Sequence, residues 1–489
     1  MSVLKLYNPK EMMSLNLPKA KSLTTLTAVF LALLLVKFLL PLFLYDLPLG
    51  YDPGIYRYLF VKHAEGFPPF ALANMDGWAY THPLGLFMFS SVLLRLGIPV
   101  DWLVGWMWNV MAIVLIYILA SVTVKHEGKA VGACVLLMGV LSAPYYDGFS
   151  AMYWKAYLAL LFVVVALYLI DQKSWWAVVP GTLALITHNQ TGLLFALVMG
   201  TWWLILGVKH WKDPVWRKAT GAGALFLCIA ALAYLPVWQE SIWMHVKSLL
   251  TLRGENVPAG SFPPAMFYFK WNALLLLVGA YGFIRILLRD RKLTPWSLAV
   301  LWAAAFVFLK LFFYKRFFLH FDFFLLPFAA YGLVNAWGLF SNKFWRVLII
   351  ILIIIQGYLS YQVFEIRGTD IDNDTFALIT SLAEAELPED AYIITLENKS
   401  TTWLRGWLPN YRVGGPGLFN LNWSYEQWVE LIYGTHADRK AILEQLDGPA
   451  YFLLTPLFYE HYGESAESFV RDSCFQPLEY VPLLQVTCI

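Results

Sequence analysis

The strongest constraint on the fold is a series of long apolar runs separated by short polar loops. A helix needs about 20 apolar residues to cross the hydrocarbon core of a bilayer, and roughly eleven runs approach that length. The runs lie near residues 22–45, 101–124, 128–145, 152–170, 174–188, 192–208, 219–236, 270–288, 294–313, 321–340 and 345–364. Only 14% of the residues are charged, against about 25% in soluble domains. The sequence therefore predicts a polytopic α-helical membrane protein with about 11 transmembrane helices.

Basic residues in every second loop predict the orientation of these helices. Lys and Arg accumulate in loops that stay in the cytoplasm, which here gives an N-terminus inside and a C-terminus outside. The first run has no small-residue cleavage site before Pro41, so we expect it to remain as an anchor rather than to be removed as a signal peptide. The basic residues that alternate in this way are Lys5, Lys10, Lys19, Lys21, Lys125, Lys129, Lys173, Lys209, Lys212, Arg217, Lys218, Arg285, Arg289, Arg291, Lys292, Lys343 and Arg346.

The loops between the basic ones are then external, and two of them are long. They are the first loop at 46–100 and a later loop at 236–270. Within the first loop, the apolar segment at 82–96 is too short to cross the bilayer, so we expect a helix that lies along the outer interface. Residues 1–364 thus form the predicted transmembrane domain.

After Arg367 the composition becomes that of a soluble domain. Short β-like runs alternate there with amphipathic helical patterns, the runs at 391–396, 450–454 and 478–486 and the patterns at 376–385, 425–433 and 439–446. This alternation predicts a small extracytoplasmic α/β domain at 365–489. An external location would permit a disulfide between Cys474 and Cys488.

The first external loop opens with an acid at the membrane edge, in the stretch Gly50-Tyr51-Asp52-Pro53-Gly54-Ile55-Tyr56-Arg57-Tyr58. A charge at such a position is costly unless it has a partner or a function. One interpretation is structural: Asp52 starts a turn before a proline and pairs with Arg57. The other is chemical: Asp52 acts as a general base or a metal ligand, and Arg57 helps to bind the substrate.

Asp147 repeats this pattern in the next external turn, Ala143-Pro144-Tyr145-Tyr146-Asp147-Gly148-Phe149. Two acids framed by Tyr and Gly on one membrane face favour chemistry more strongly than either acid alone. We therefore expect Asp52 and Asp147 to form a catalytic pair, with a divalent ion such as Mg²⁺ or Mn²⁺ as an open alternative. Lys155 follows Asp147 closely and is expected to pair with a carboxylate or a phosphate.

A basic cluster lies on the external side, beside the run at 294–313. Lys315, Arg316 and His320 oppose the positive-inside bias and so need an explanation. Snorkelling toward headgroups or pairing with Asp322 would explain them structurally. A clamp for an isoprenoid phosphate would explain them chemically, because a Lys-Arg pair binds phosphate through charge-assisted hydrogen bonds.

Other motifs add little to these candidates. His82 and His188 are either satisfied structural residues or substrate ligands. The sequence has no P-loop, no HExxH, no GxSxG and no ordered Cys/His zinc spacing, so nucleotide, zinc and serine hydrolysis lack support. The net charge of +2 gives no sign of nucleic-acid binding.

The order of these parts resembles that of the GT-C superfamily of membrane glycosyltransferases, which includes oligosaccharyltransferases, protein O-mannosyltransferases and lipid A aminoarabinose transferases. The shared features are the acid Asp52 in the first external loop, a helix along the outer face, the acid Asp147 after the third span, a long later loop and a basic patch at 314–322. The resemblance implies inverting transfer of a sugar from a polyprenyl-phosphate donor at the external face. It makes Asp52 the catalytic carboxylate and Asp147 its partner or a metal ligand. The WWDYG signature of oligosaccharyltransferases does not occur after Arg367.

Two other function classes fit a polytopic chain. A transporter or a flippase for lipid-linked sugars would use buried polar residues as a pathway, and it predicts inverted repeats and broken helices at mid-membrane. A non-catalytic scaffold would only present the C-terminal domain. We expect a glycosyltransferase of the cell membrane, whose partners are the lipid-linked donor, the bilayer and a lipid, glycan or protein acceptor.

Overall fold

The structure is a computed structural model, which forms two compact units. It describes residues 20–66, 83–212, 214–235, 238–243, 247, 262–311, 313–339, 342–385, 387–419, 421–478 and 482–488. The first unit, here called the helical unit, contains Met1–Phe43 and Trp108–Arg367. The second, the mixed unit, contains Leu44–Met107 and Gly368–Ile489. The predicted first external loop therefore falls in the same unit as the predicted soluble domain.

Helices account for most of the described chain. In chain order they are α1 (Ala20–Leu39), α2 (Pro41–Leu44), α3 (Pro53–Glu65), α4 (Gly85–Arg95), α5 (Val100–Val104), α6 (Trp106–Glu127), α7 (Lys129–Leu141), α8 (Ala143–Ser150), α9 (Trp154–Asp171), α10 (Val178–Thr187), α11 (Asn189–His210), α12 (Pro214–Tyr234), α13 (Ala265–Trp271), α14 (Ala273–Asp290), α15 (Pro295–Phe308), α16 (Phe317–Leu339), α17 (Lys343–Glu365), α18 (Asn373–Ser381), α19 (Asn398–Trp407), α20 (Tyr425–Tyr433), α21 (His436–Leu443), α22 (Pro456–Tyr462) and α23 (Glu464–Val470).

Each predicted apolar run overlaps a helix of the described chain. Among the described helices, six are long and apolar enough to cross a membrane, or up to eight if each bent pair forms one span. The bent pairs are α7 with α8, at 56°, and α13 with α14, at 87°. A helical membrane protein is therefore confirmed in outline, whereas the count of about 11 spans and the N-in/C-out orientation stay predictions.

Helix α16 lies at the centre of the helical unit. In its most apolar window 83% of the residues are buried, against 22% in α17 and 11% in α1. Its contact with α14 is a backbone crossing made possible by glycine. A Cβ atom on Gly282 would lie 1.9 Å from the carbonyl oxygen of Phe328, and one on Gly332 would lie 2.3 Å from that of Val278.

The mixed unit contains a six-stranded sheet in the order β3-β2-β1-β4-β6-β5. Its strands are β1 (Tyr392–Ile394), β2 (Arg412–Gly415), β3 (Leu418–Phe419), β4 (Ala450–Leu453), β5 (Phe475–Pro477) and β6 (Leu483–Val486). The central strand β1 pairs in parallel with β2 and β4, and the outer pairings are antiparallel. A small sheet is thus present in the C-terminal residues, and the three predicted β-like runs contain β1, β4 and β6. The predicted domain bounds of 365–489 stay a prediction. A disulfide joins Cys474 to Cys488.

Helices α3 and α19 cross with their backbones in contact inside the mixed unit. A Cβ atom on Gly54 would lie 2.2 Å from the carbonyl oxygen of Thr402, and one on Gly406 would lie 2.4 Å from the Cα atom of Gly54. Two glycines far apart in sequence therefore let the first-loop helix pack directly on a helix of the C-terminal residues. The predicted apolar segment at 82–96 contains α4, which packs against α3.

Candidate functional site

Asp147 lies on α8 with both carboxylate oxygens bound by donors. Ser142 caps this helix, accepting a hydrogen bond from the backbone N–H of Tyr145, so a separate helix begins after the end of α7. The Asp147 side chain is 0% exposed. Its Oδ1 accepts from Nε of Arg367 at 2.7 Å, and its Oδ2 accepts from the hydroxyl of Tyr268 at 2.6 Å.

Arg367 and Tyr268 were not among the candidates drawn from the sequence. Arg367 lies two residues after the end of α17 and drew attention only as the start of the polar C-terminal composition. An arginine at the end of the last apolar run is the signal that could have identified it, since an intramembrane acid calls for a nearby cation. The arrangement fixes the Asp147 carboxylate in position and gives its buried charge a partner.

A row of aromatic rings leads from Asp147 to Arg316. The ring of Tyr268 lies 5.9 Å from that of Phe262, and the ring of Phe262 lies 4.5 Å from that of Tyr153. The Arg316 guanidinium then lies 5.6 Å from the centre of the Tyr153 ring. Three aromatic rings of the helical unit thus connect the predicted acid Asp147 to the predicted cation Arg316.

Four predicted residues meet beyond this aromatic row and are called the cationic cluster: Lys155, His188, Arg316 and His320. Thr191 joins the two histidines, since its hydroxyl oxygen lies 2.8 Å from Nδ1 of His188 and 2.7 Å from Nε2 of His320. The imidazole rings are nearly parallel, with centres 6.0 Å apart. The charges of Lys155 and Arg316 act on His188.

The remaining basic candidates are not members of the cationic cluster. Lys315 is half-buried in the turn before α16. His82 lies outside the described residues. Asp322, considered above as a structural partner of the basic residues, accepts hydrogen bonds from Ser142 and Asn272.

Asp52 lies at the N-terminus of α3, in the mixed unit. Its carbonyl oxygen accepts from the backbone N–H of Tyr56 at 3.0 Å, whereas its carboxylate makes no capping hydrogen bond to the described first turn of α3. Burial raises the pKa of the neighbouring Tyr51 phenol well above its usual value, and the charges of Asp52, Glu397 and Asp370 add to this rise. Two acids from the C-terminal residues therefore share an electrostatic environment with the predicted catalytic base.

Arg57 makes contacts that hold α3 in place. Its Nε lies 3.1 Å from Oδ1 of Asp101, its Nη1 donates to the carbonyl oxygen of Gly406 at 2.6 Å, and its guanidinium lies 5.0 Å from the centre of the Trp407 ring. These contacts give Arg57 a structural role, and its predicted role in substrate binding stays a prediction.

One group of side chains has the spacing of a metal site among the residues that the structure describes. His436, Asp472 and Cys474 place one ligand atom each within 4.8 Å of one another. However, a thiolate is the form of cysteine that binds metals, and the sulfur of Cys474 is in a disulfide. Asp472 also accepts from Nη1 of Arg439 at 2.7 Å. In the disulfide form these contacts describe a structural cluster, and the identity of any metal stays open.

Comparisons with known proteins identify the fold. No family model matches the sequence, and no curated protein sequence is similar to it. Among solved structures, the oligosaccharyltransferase of Archaeoglobus fulgidus in complex with Zn and sulfate matches with a TM-score of 0.60 at 12% identity, over 87% of this chain and 67% of that one. The same archaeal enzyme, AglB, with an inhibitory peptide and a dolichol-phosphate gives 0.59 at 11%, over 88% and 69%. ArnT from Cupriavidus metallidurans bound to undecaprenyl phosphate gives 0.55 at 13%, over 96% and 99%. The chain therefore shares its fold with an oligosaccharyltransferase and with ArnT, two kinds of enzyme in the group that the sequence resembles.

Proposed function

We propose that the protein is a membrane glycosyltransferase that uses a polyprenyl-phosphate sugar as its donor. The observation that carries this proposal is the cationic cluster, which the aromatic row joins to Asp147. The donor class is supported by two of the structures that share the fold, one of which contains dolichol-phosphate and another undecaprenyl phosphate.

The cationic cluster would stabilise the leaving phosphate. When the bond between the sugar and the phosphate breaks, the negative charge on the phosphate group increases. Fixed cations in a site that excludes water favour that change, because they are already oriented when the charge develops. In this proposal Arg316 and Lys155, with Lys315, bind the phosphate, and the two histidines line its path.

Asp52 would act as the general base. It would accept the proton of an acceptor hydroxyl or amide that attacks the sugar from the face opposite the phosphate, which inverts the anomeric centre. This role follows from the GT-C resemblance, in which the acid at the start of the first external loop, here Asp52, is the catalytic carboxylate. A divalent ion, Mg²⁺ or Mn²⁺, bound by Asp52 or Asp147 belongs to the same proposal.

The reaction would take place on the external face of the cell membrane. The disulfide between Cys474 and Cys488 supports an extracytoplasmic C-terminal region, since disulfides persist mainly in oxidising compartments. A lipid, a glycan or a protein is the acceptor class in this proposal.

The test is transfer by the purified full-length chain. The protein is mixed with a radiolabelled polyprenyl-phosphate sugar and, in separate reactions, with membrane lipid, glycan and peptide acceptors. We expect label to move to one acceptor class with inverted stereochemistry. A chelator added before the donor tests the metal, because loss of transfer that only Mg²⁺ or Mn²⁺ restores would establish the ion. Absence of transfer to all three acceptor classes would overturn the proposal.

A flippase for the same lipid-linked sugars is the second candidate. Two helix pairs of the helical unit are broken, as in many transporters. Liposomes that contain the labelled donor separate the two functions, since a flippase exposes the inner label to an external enzyme without transferring it.

A further inference from the structure

The two broken helices of the helical unit carry the residues that meet at Asp147. The break between α7 and α8 falls at Ser142, and α8 carries Asp147. The break between α13 and α14 falls at Asn272, and α13 carries Tyr268. The hydroxyl of Tyr268 donates to Asp147. The position of the Asp147 carboxylate therefore depends on how the two breaks are held relative to each other.

A break in an apolar helix leaves backbone N–H and C=O groups without partners, which costs several kcal/mol for each group in lipid. The half-buried Lys37 and the buried Gln356 supply partners for some of these groups. Nζ of Lys37 donates to the carbonyl oxygens of Val140 and Ser142, at 2.6 and 2.9 Å. Nε2 of Gln356 donates to the carbonyl oxygen of Leu141 at 3.2 Å.

Asp322 on α16 joins one break to the other. Its Oδ2 accepts from the hydroxyl of Ser142 at 2.5 Å, and its Oδ1 accepts from Nδ2 of Asn272 at 2.6 Å. Asp322 is 1% exposed and Asn272 is 0% exposed, and the charge of Lys37 interacts with that of Asp322. One carboxylate thus binds the residue that caps the start of α8 and the residue that caps the end of α13.

The amide of Asn272 completes the connection. Its Oδ1 accepts from the backbone N–H of Ala143, the first residue of α8, at 3.3 Å. Gln356 spans both breaks as well, since its Nε2 also donates to the carbonyl oxygen of Trp271 at 2.8 Å.

We propose that Asp322 is a positioning residue. By joining the two breaks it sets the distance between the Asp147 carboxylate and the Tyr268 hydroxyl, and through this distance it controls the rate of the reaction. The inference rests on the proposed glycosyltransferase function for its kinetic consequence. The structural part of the inference is independent of that function, because the hydrogen bond from Tyr268 to Asp147 can be measured in the absence of turnover.

The kinetic test compares substitutions that differ in hydrogen bonding at position 322. Asp322→Leu removes both acceptors, and we expect kcat to fall about 10²-fold, the loss typical of a 1 Å misplacement, while KM for the donor changes less than threefold. Asp322→Asn keeps the size and one acceptor, and it should recover most of kcat. Equal loss in the Leu and Asn variants would overturn the proposal.

Removal of Asp322 alone leaves the buried charge of Lys37 without its carboxylate, which can prevent folding. The double variant Lys37→Met/Asp322→Leu removes both charges. We expect its melting temperature to exceed that of Asp322→Leu while kcat stays low, because neutral side chains restore stability but not the link between the breaks. Recovery of kcat together with stability would reduce Asp322 to a purely structural residue.

A matched control lies on the same two helices. The hydroxyl of Tyr281 on α14 donates to Oδ1 of Asn335 on α16 at 2.7 Å, and this contact joins neither break. Asn335→Ala removes a buried hydrogen bond of similar kind, and we expect kcat to remain within twofold of the unsubstituted protein. A loss of kcat in Asn335→Ala as large as that in Asp322→Leu would refute a specific role for Asp322.

The structural test uses 3-fluorotyrosine at position 268 and its ¹⁹F resonance in detergent. Asp147→Asn gives the reference chemical shift for a Tyr268 hydroxyl whose hydrogen-bond acceptor has changed. We expect Asp322→Leu to move the resonance away from its original position, whereas Asn335→Ala leaves it in place. An unmoved resonance in Asp322→Leu would overturn the inference. If the unsubstituted protein transfers no sugar but the resonance moves as expected, the proposed function fails and the positioning role stands.

Discussion

The backbone crossing of α3 and α19 makes Gly54→Ala the sharpest perturbation of the mixed unit. The new Cβ atom would lie 2.2 Å from the carbonyl oxygen of Thr402 and 2.6 Å from both the Cα atom and the carbonyl oxygen of Trp403. All three neighbours are backbone atoms, so no side-chain rotation relieves the clash. Because non-bonded carbon atoms pack best at about 3.5–4.0 Å, the helices would have to separate by roughly 1 Å.

That separation has an energetic cost and a kinetic one. Overpacking of this kind typically destabilises a protein by about 1–3 kcal/mol. The separation would also strain two hydrogen bonds across the crossing, from Arg57 to the carbonyl oxygen of Gly406 and from Thr402 to that of Tyr51, at 2.6 and 2.7 Å. Asp52 lies two residues before Gly54, so a shift of this size should lower sugar transfer by about 10²-fold.

Gly66→Ala is the matched control, because Gly66 ends the same helix. Its nearest neighbour for a new Cβ atom is the carbonyl oxygen of Lys62, at 3.7 Å, which is an ordinary contact. Thermal unfolding in detergent and label transfer are measured for both variants. We expect Gly54→Ala to lose stability and activity and Gly66→Ala to keep both. Equal melting temperatures for the Gly54→Ala and Gly66→Ala proteins would refute the backbone crossing.

Three further predictions concern the candidate site and the mixed unit. Asp52→Asn should lower transfer by about 10²–10⁴-fold, the usual loss for a general base, with an unchanged melting temperature; near-full activity would end the assignment. Lys315→Ala with Arg316→Ala should raise KM for the donor and weaken binding of the polyprenyl phosphate alone, and unchanged affinity would remove the clamp. His63 stacks on Phe87 with ring centres 4.5 Å apart, and burial lowers its pKa to about 4. Between pH 6.5 and pH 4 the unfolded chain therefore binds a proton at His63 that the folded chain does not. The free energy of unfolding present above pH 6.5 should thus fall by about 3 kcal/mol as the pH drops to about 4. His63→Leu should flatten that decline in a melting series over pH, and an unaltered slope would contradict the assignment.

The sequence predicted those parts of the fold that depend on local composition. Run length and the change in polarity after Arg367 located most helices of the helical unit and the region of the sheet, because both patterns are properties of adjacent residues. Helices α8 and α13 lie mainly in segments that the sequence assigned to an external turn and an external loop. The sequence did not predict that α3 packs on α19. That contact needs Gly54 and Gly406 to meet across more than three hundred residues, and each glycine alone is also typical of a turn.

The sequence singled out the candidate site residues by the same kind of local pattern, and their functional roles stay predictions. Asp147, Lys155, His188, Arg316 and His320 stand out because charged and imidazole groups are rare in apolar segments, and the structure places them in one unit. Their partners were missed where those partners are common residue types. A tyrosine or a threonine in an apolar run is unremarkable by composition, so its role emerges only from its position beside an acid or an imidazole.

The helix breaks show why the number of spans cannot be taken from apolar run length. The runs at 128–145 and 270–288 satisfy the length rule, yet the first bends at Ser142 and the second bends at Asn272. The local sequence does not reveal either bend, because Ser142 and Asn272 could also occur within an unbroken apolar helix. What permits the bend is a donor or acceptor from elsewhere, and here Lys37 and Asp322 come from α1 and α16. Lipid supplies no substitute partner for the backbone groups that a break exposes. A break therefore forms where remote residues bind those groups. A Lys and an Asp on neighbouring apolar helices are thus the signal by which such breaks can be sought in other sequences.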